Sequence, residues 1–316
     1  MRKKIFFLLR IVITLAIFFA LFKFIPYRRL VSVYKNSQKI YLSFAFVIFW
    51  LSLFLGIVRW KVLLASIGVA ASFRETFYSY FSGLFLNLFF PSFVAGDLFR
   101  GYGIAYRHGK TKKIASTVLM DRFSGGLALA LVAAVSFIFL EKSIQQKQIL
   151  FLLLTLLLIV LFLFFVIFSR TFFNFLSGVF RKESLIRNKL SLFHDQLYFF
   201  KQKPIVFYKT LALSLLIQIS IPFGFFVASL AFGLSLSFVI FLVVVPIVMA
   251  AAFIPITIAG AGTREALLVY FLSTYRVAES VGLGISLVNL FYLISASLLG
   301  GIFYVTVYHR WLQPCP

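Results

Sequence analysis

The feature that most constrains this chain is the length of its uncharged, apolar stretches. From Thr210 to Thr263 no residue is charged, whereas a helix of about 20 apolar residues already crosses the hydrocarbon part of a bilayer. Overall, 62% of the residues are hydrophobic and 12% are charged, against roughly 25% charged residues in soluble domains. The core of a water-soluble fold cannot hide this much apolar surface. The pattern predicts an all-α, polytopic membrane protein with a single integral membrane domain over 1–316.

The charge balance is strongly basic, with a net charge of +23 from 31 Lys and Arg against 8 Asp and Glu. Nucleic-acid binders share such an excess, but here the basic residues flank the apolar runs, where they meet lipid headgroups and set orientation. We therefore expect no nucleic-acid partner. The single cysteine, Cys315, excludes an intrachain disulfide. The histidines lack metal-ligand spacing, and no catalytic or cofactor motif is found, so we expect no metal, no cofactor and no enzymatic activity.

Six apolar runs are predicted to be full spans. The first follows Met-Arg-Lys-Lys and resembles a signal peptide, but no small-residue cleavage site follows it, so we predict a retained span. A turn is predicted at 232–235, after the fifth span. The polar segment 170–203 interleaves basic and apolar residues, which predicts a basic amphipathic helix on the cytoplasmic membrane surface; a solvated connecting loop is the alternative. The six spans are 5–25, 40–58, 123–140, 148–169, 210–231 and 280–308.

Two further apolar segments, 76–100 and 237–272, are interrupted by Pro and Gly. If the first crossed fully, the basic regions 98–113 and 170–203 would both lie outside, against the positive-inside tendency. If it enters and leaves from the cytoplasm, both lie inside, and by the same parity the second segment enters from outside. We therefore predict six full spans and two re-entrant broken hairpins in the cell membrane, with both termini cytoplasmic. Four basic residues of the first loop are left outside: Arg28, Arg29, Lys35 and Lys39.

The two interrupted segments share the pattern Pro-x-x-x-Ala-Gly-x-x-x-Arg, from Pro91 to Arg100 and from Pro255 to Arg264. Because they are predicted to enter from opposite faces, they suggest an inverted repeat. Transporters often use this plan, in which broken helices expose backbone groups and helix dipoles near the midplane. Four identities in ten are also compatible with chance, since Gly, Ala and Pro are common in membrane segments. The candidate hinge residues are Pro91, Gly96, Pro255, Gly260 and Gly262.

Several of the few acidic residues lie beside arginines in or next to apolar segments. An arginine at bilayer depth costs about 2.5–3.5 kcal/mol unless it is paired or hydrated. Since a guanidinium matches phosphate oxygens and keeps its charge, we predict that Arg100 and Arg264 bind a phosphate. The carboxylates would hold the arginines in the empty site or carry a coupling proton. The alternative is that these pairs only pin helix ends, and Asn87 is equally compatible with helix packing. The candidate substrate-binding residues are Asn87, Asp97, Arg100, Asp121, Arg122, Arg264 and Glu265.

Three motifs occur in order along the chain: Gly83-x-x-x-Asn87-x-x-x-Pro91-x-x-x-Ala95-Gly96-Asp97-x-x-Arg100, then Asp121-Arg122 with Gly125, then Pro255-x-x-x-Ala259-Gly260-x-Gly262-x-Arg264-Glu265. Together they resemble the lysylphosphatidylglycerol synthase transmembrane-domain family, also called the flippase-like domain. The resemblance covers about residues 5–308. Members usually carry Gly-Gly-Asp where this chain has Ala95-Gly96-Asp97.

The resemblance implies a lipid translocase, because the membrane domain of that family is thought to move aminoacylated phospholipid across the bilayer. A separate cytosolic domain makes the aminoacyl ester; the sequence ends at Pro316 without one, so we expect a stand-alone member that is not a synthase. Other members are linked to glycosyltransferases acting on polyprenyl lipids, which leaves phospholipids and polyprenyl lipids as candidate substrates. The implied partners are membrane lipids with phosphate headgroups and a cytosolic aminoacyl- or glycosyltransferase. The alternatives are a membrane-embedded transferase for a lipid-linked substrate and a membrane partner of a cytosolic lipid-modifying enzyme.

Overall fold

A computed structural model describes residues 2–25, 27–89, 93–140, 146–178, 191, 194–195, 197–252, 257, 260–308 and 311. This part of the chain is helical and contains no strand. Its helices are α1 (Arg2–Phe24), α2 (Tyr27–Lys35), α3 (Lys39–Ser66), α4 (Phe73–Asn87), α5 (Phe93–His108), α6 (Thr111–Ile138), α7 (Gln146–Phe168), α8 (Arg170–Ser177), α9 (Pro204–Ala231), α10 (Phe238–Ala252), α11 (Thr263–Ser273) and α12 (Glu279–Phe303), which continues as a π-helical turn over Tyr304–Tyr308.

Five of the described helices, α3, α6, α7, α9 and α12, are long and apolar enough to cross a membrane. They correspond to five of the six predicted spans. The remaining predicted span, 5–25, lies in α1, whose Val12–Phe24 part is a shorter apolar helix, as is α10. The prediction of an all-α polytopic membrane protein is confirmed.

Two of the predicted span boundaries were wrong in a way that matters for the site. Helix α6 begins at Thr111 rather than at 123, so Asp121 and Arg122 lie inside a helix instead of opening one. Helix α3 continues past 58 to Ser66. The sequence reasoning placed both span boundaries next to charged residues. A charged side chain that is paired inside the bundle can lie within a helix, however, so the helix continues past it.

Hydrogen bonds gather several loops at one end of the bundle, which we call the basic end. The Lys110 Nζ donates to the Gly68 carbonyl (2.8 Å), and the Lys203 Nζ donates to the Ser66 carbonyl. The end of α3, the α5–α6 connection and the chain before α9 therefore meet there. Both regions that were predicted to be cytoplasmic, 98–113 and 170–203, reach this end.

A second set of contacts defines the opposite end. The Gln38 backbone N–H donates to the Ala231 carbonyl (2.8 Å), which joins the start of α3 to the end of α9. The Tyr270 hydroxyl donates to the Gln148 Oε1 (3.1 Å), which joins α11 to the start of α7. The turn predicted at 232–235 lies at this end, with Gly233 at a φ of +73°.

Helices α4 and α5 form an antiparallel hairpin whose two outer ends lie at the basic end. The Ser79 hydroxyl donates to the Arg100 carbonyl (2.7 Å), and the Asn87 Oδ1 accepts the backbone N–H of Gly96 (2.9 Å). Between these contacts Gly83 and Gly96 face each other so closely that a Cβ on either would overlap the other's carbonyl oxygen. Because neither glycine has a side chain, the two helix backbones can approach this closely, as in other membrane helix pairs with small residues at the contact.

Helices α10 and α11 form the other interrupted segment, which begins and ends at the opposite end of the bundle. Gly260 lies in the break between them at a φ of +66° and packs against Ala252. Gly262, at a φ of +88°, is the N-cap of α11. The two interrupted segments therefore enter from opposite ends.

The glycines that the shared sequence pattern aligns have different backbone conformations. Gly96 is helical and needs space for a neighbouring backbone, whereas Gly260 needs a left-handed φ that only glycine adopts without strain. The predicted hinges Pro91 and Pro255 lie outside the described residues. The inverted repeat therefore stays a prediction.

The segment predicted as one amphipathic helix, 170–203, is described in part. It is helical over Arg170–Ser177, and the described residues between 191 and 198 are helical as well. A 3₁₀ turn at Phe199–Gln202 then leads into α9. Residues 179–190 lie outside the described residues.

The apolar core consists mainly of two clusters, one toward each end. The cluster near the basic end surrounds Trp60, Ile104 and Phe200, and the cluster near the opposite end surrounds Phe225 and Phe241. On α3 and α9, Arg59 and Ser214 lie between residues of the two clusters, whereas Asp121 of α6 lies among residues of the basic-end cluster. These polar side chains belong to the candidate site.

The arrangement of the ends predicts which positions share a side of the membrane. In a Cys315→Ser background, single cysteines at Lys110 and Gln202 should react with a membrane-impermeant maleimide from one side, because both lie at the basic end. Cysteines at Asn36 and Ser235 should react from the other side. Labelling of intact cells and of inverted vesicles measures this. Reaction of Lys110→Cys and Gln202→Cys from different sides would contradict the arrangement.

The close contact of the hairpin predicts an unusual result for a Gly→Ala substitution. In most helix interiors Ala is more favourable than Gly by about 1 kcal/mol. Gly96→Ala should instead destabilise the protein by about 1–3 kcal/mol, since the new Cβ overlaps Gly83 and Asn87. The matched control is Gly126→Ala in α6, where an added Cβ meets nothing within 4 Å. Thermal unfolding in detergent compares them, and equal stability of the two variants would refute the tight contact.

Candidate functional site

Five charged side chains from α3, α5 and α6 form a buried network, which we call the arginine cluster. In α5, the Arg100 Nε lies 3.0 Å from the Asp97 Oδ1, one helical turn away. In α6, Asp121 receives hydrogen bonds from the Arg100 Nη2 (2.7 Å) and the Arg59 Nε (2.6 Å), one on each carboxylate oxygen. Arg122 forms a short ion pair with Asp97. Asp121 therefore joins α3 to α5, while Asp97 joins α5 to α6.

Arg100 lies at the centre of the cluster, and its side chain is only 3% exposed. Its guanidinium carbon is 4.6 Å from the ring centroid of Trp60 and 4.9 Å from that of Tyr80. Aromatic faces stabilise a cation, most strongly when water is excluded. The Trp60 indole N–H donates to the Thr117 hydroxyl (3.2 Å), which fixes the ring. Two carboxylates and two rings thus compensate the desolvation of this arginine.

Arg59 extends the cluster to α9. Its Nη1 donates to the Ser214 hydroxyl (2.9 Å), and Ser214 in turn donates to the Ser124 hydroxyl (3.2 Å). Gly125 leaves room for this arrangement, because a Cβ there would be 3.2 Å from the Arg59 Nη1. The network therefore ties together four helices, α3, α5, α6 and α9.

The depth of the cluster follows from the helix lengths. Arg59 lies seven residues before the end of α3, and Asp121 lies ten residues after the start of α6. At about 1.5 Å per residue these positions are roughly 10–15 Å from the helix ends. The hydrocarbon core of a bilayer is about 30 Å thick. The arginine cluster therefore lies inside the apolar part of the protein rather than at its surface.

The cluster carries a surplus positive charge, since three arginines face two aspartates. Four of its side chains are less than 10% exposed, whereas that of Arg122 is 36% exposed. Arg122 is therefore the most accessible member of the arginine cluster.

The structure shows how these charged residues pair. Asp121 and Arg122, neighbours in the sequence, were considered either as members of a polar network or as a pair that pins a helix end; Asp121 pairs with Arg59 and Arg100, and Arg122 pairs with Asp97. Adjacent residues on a helix point in directions about 100° apart, so each reaches a different partner. Asp97 and Arg100, by contrast, do contact each other.

Arg59 was the main omission of the sequence reasoning, which ended the second span at residue 58. Trp60 is fully buried and Arg59 is 8% exposed. The available signal was the apolar stretch Val62–Leu64, which continues the apolar pattern beyond the charged residues Arg59 and Lys61. The identity of the helices that meet there cannot be read from this signal.

Asn87 and Glu75 position the hairpin that carries Asp97 and Arg100. The Asn87 side chain accepts the Gly96 N–H and so joins α4 to α5. Glu75 and Ser72 form a reciprocal capping box at the start of α4, and the Arg107 Nε lies 2.9 Å from the Glu75 Oε1. Burial alone would raise the pKa of Glu75, but the hydrogen bonds from Ser72 and the charges of Arg107 and His108 lower the pKa overall.

Arg264 and Glu265 form a separate charged pair at the start of α11. Glu265 is fully buried, and its Oε2 accepts the backbone N–H of Gly262 (2.5 Å), while its Oε1 lies 3.4 Å from the Arg264 Nη2. A carboxylate in the first turn satisfies a free N–H and complements the helix dipole. Gly262 also packs against Ile17 of α1.

The described ion pairs do not link Arg264 to Arg100. Helix α11 packs on α10, α12 and α1, whereas α5 packs on α4 and α6. That Arg100 and Arg264 bind one phosphate stays a prediction. Residues 253–256, which come before α11, lie outside the described part. Among the described residues no group of three His, Cys, Asp or Glu side chains forms a metal site.

A polytopic helical bundle with a buried arginine cluster, to which the α4–α5 hairpin contributes Asp97 and Arg100, defines an integral membrane protein with a polar site inside its apolar region. The family model described as the lysylphosphatidylglycerol synthase TM region matches residues 7–300. The chain therefore belongs to this family, as its motifs had suggested. A search of curated proteins found no match.

The cluster predicts a large difference between two Asp→Asn substitutions. Asp121→Asn leaves Arg59 and Arg100 with less compensation in a buried site, which should destabilise the protein by about 3–5 kcal/mol. Asp195→Asn is the control, because Asp195 is more than half exposed and lies 3.7 Å from an exposed Arg170; exposed pairs contribute about 0–1 kcal/mol. Thermal unfolding in detergent measures both. Equal, small losses would show that the cluster does not support the fold.

Proposed function

We propose that this protein is a lipid translocase that moves a polar, phosphate-bearing lipid headgroup across the bilayer. Membership of the family supports a membrane protein tied to lipid handling. The observation that carries the finer proposal is the arginine cluster: a surplus positive charge, held inside the apolar region, with Arg122 as its accessible member. The acyl chains would remain in the bilayer while the headgroup passes through the protein.

The ion pairs suggest how a headgroup is exchanged. In the structure Asp97 pairs with both Arg100 and Arg122. A phosphate that approaches Arg122 can replace Asp97 there, because a guanidinium binds either oxyanion through paired hydrogen bonds. Asp97 would keep its contact with Arg100, so no buried carboxylate is left unpaired. The surplus charge is then neutralised by the ligand.

A groove between α5 and α6 supports access from the lipid side. It has a volume of about 470 Å³, and Thr111, Ala115 and Val118 form its α6 wall. Arg122 continues this row at helical spacing, four residues beyond Val118. The opposite wall includes Leu98 and Tyr102, both more than half exposed. The groove would place Arg122 beside the surrounding lipid.

The experiment is a headgroup-translocation assay in proteoliposomes with fluorescently labelled phosphatidylglycerol and phosphatidylcholine. Arg122→Gln should slow translocation of the favoured lipid at least about tenfold, since a hydrogen bond to a charged group contributes about 1.5–3 kcal/mol and 1.4 kcal/mol corresponds to a factor of ten. The variant should fold, because Asp97 retains Arg100.

The matched control is Arg74→Gln, since Arg74 is exposed in the first turn of α4 at the basic end and should leave translocation unchanged. Translocation by the unaltered protein and by Arg122→Gln at the rate of protein-free liposomes would refute the proposal. Formation of a new lipid product by the purified protein would instead indicate a membrane-embedded transferase. Arg264→Ala, measured in the same assay, tests the predicted role of the second arginine.

A further inference from the structure

A second groove, far from the arginine cluster, lies at the opposite end of the bundle under α2. Its volume is about 1050 Å³, at the upper limit of the roughly 300–1,000 Å³ typical of ligand sites. Tyr34 and Lys35 of α2 line it, together with Phe46 of α3 and Gly284 and Phe291 of α12. We call it the α2 groove.

The floor of the α2 groove is the place where α3 and α12 touch. There the Tyr292 hydroxyl donates to the Leu42 carbonyl (2.7 Å), and the Tyr292 ring lies 5.2 Å from the Phe46 ring, centroid to centroid. Helix α2 packs on α12, and its Leu30 packs with a small cluster around Ile25 and Leu283. The groove is therefore built by packed helices and is open toward lipid.

The rim of the groove is basic. The sequence between 23 and 39 contains five Lys and Arg residues and no Asp or Glu. Lys35 lines the groove itself, and Arg28 and Arg29 are exposed on α2. The Lys39 Nζ lies 2.7 Å from the Ser37 Oγ and 3.9 Å from the centroid of the Tyr34 ring, which holds this ammonium at the C-terminal end of α2.

Membrane orientation does not account for these charges. The other basic regions lie together at the basic end, as the positive-inside tendency predicts for one side of the membrane. The loop at 23–39 lies at the opposite end, against that tendency. Basic residues on an amphipathic interfacial helix attract anionic headgroups. The trough below them is apolar, and its residues run from Leu42 to Val47 on α3, away from the rim. Charge and shape thus match a headgroup at the rim with an acyl chain below it.

We propose that the α2 groove binds an anionic glycerophospholipid of the leaflet at the opposite end. The phosphate lies at Lys35, between the other basic side chains of the rim, and an acyl chain runs along Phe46 and Phe291 toward the membrane centre. This site is separate from the arginine cluster and does not depend on translocation. Arg59 is twelve residues beyond Val47 on α3, which is roughly 18 Å.

The test is photocrosslinking in vesicles with lipids that carry a diazirine in one acyl chain, either phosphatidylglycerol or phosphatidylcholine, followed by mass spectrometry of the labelled peptides. With the phosphatidylglycerol probe, labelling of 27–35, 42–47 and 284–292 should exceed that of the lipid-facing α7 several-fold. The phosphatidylcholine probe should label the groove much less.

Two variants and a control make the result specific. Lys35→Glu should reduce phosphatidylglycerol labelling of the groove to the phosphatidylcholine level. Val47→Trp, which adds bulk at an exposed lining residue of the trough, should reduce labelling by both probes. Lys147→Glu is the matched control, since Lys147 is exposed at the same end but belongs to α7. Arg122→Gln should also leave groove labelling unchanged, which separates this site from the proposed translocation.

Two outcomes would overturn the proposal. One is groove labelling no stronger than that of the lipid-facing surface of α7. The other is equal labelling by both probes that Lys35→Glu does not change. All variants are first compared with the unaltered protein by size-exclusion chromatography and thermal unfolding, so that a loss of labelling reports on the groove and not on the fold.

Discussion

The bridging position of Asp121 between Arg59 and Arg100 is the interaction on which the rest of the structure depends. One carboxylate compensates two buried guanidinium groups and thereby fixes α5 between α3 and α6. In an apolar surrounding neither arginine is tolerated without such a partner. The same constraint explains why Trp60, Tyr80 and Ser214 lie around the cluster, since each supplies a π-face or a hydroxyl to a buried guanidinium.

The two interrupted segments satisfy their backbone hydrogen bonds by different means. A re-entrant backbone must find hydrogen-bond partners inside the protein. In the α4–α5 hairpin the contact of Gly83 with Gly96 brings two backbones together, and the Asn87 amide completes the hydrogen bonding. In the α10–α11 segment Gly260 and Gly262 adopt positive φ values just before α11, and the buried Glu265 caps that helix. Similar sequence patterns therefore do not imply the same local geometry.

Charge is distributed unevenly between the two ends of the bundle. The arginine cluster lies roughly 10–15 Å below the basic end and carries the surplus charge that the proposed translocation uses. The α2 groove lies at the opposite end, with exposed ammonium and guanidinium groups at an open rim and an apolar trough below. A buried, paired cluster suits selective and reversible binding of a headgroup, whereas an open rim suits binding of a whole lipid at the membrane surface.

The sequence by itself determined that the chain is a helical membrane protein and approximately where its spans lie. Backbone groups in lipid must be hydrogen-bonded within helices, and long apolar runs have no other stable form there. It also singled out Asp97, Arg100, Asp121 and Arg122, since charged residues in apolar segments are rare and costly. It did not identify Arg59 or the pairing of the charges. Pairing depends on which helix faces meet and on the direction of each side chain. Only the tertiary structure decides these, by packing α3, α5 and α6 around one carboxylate.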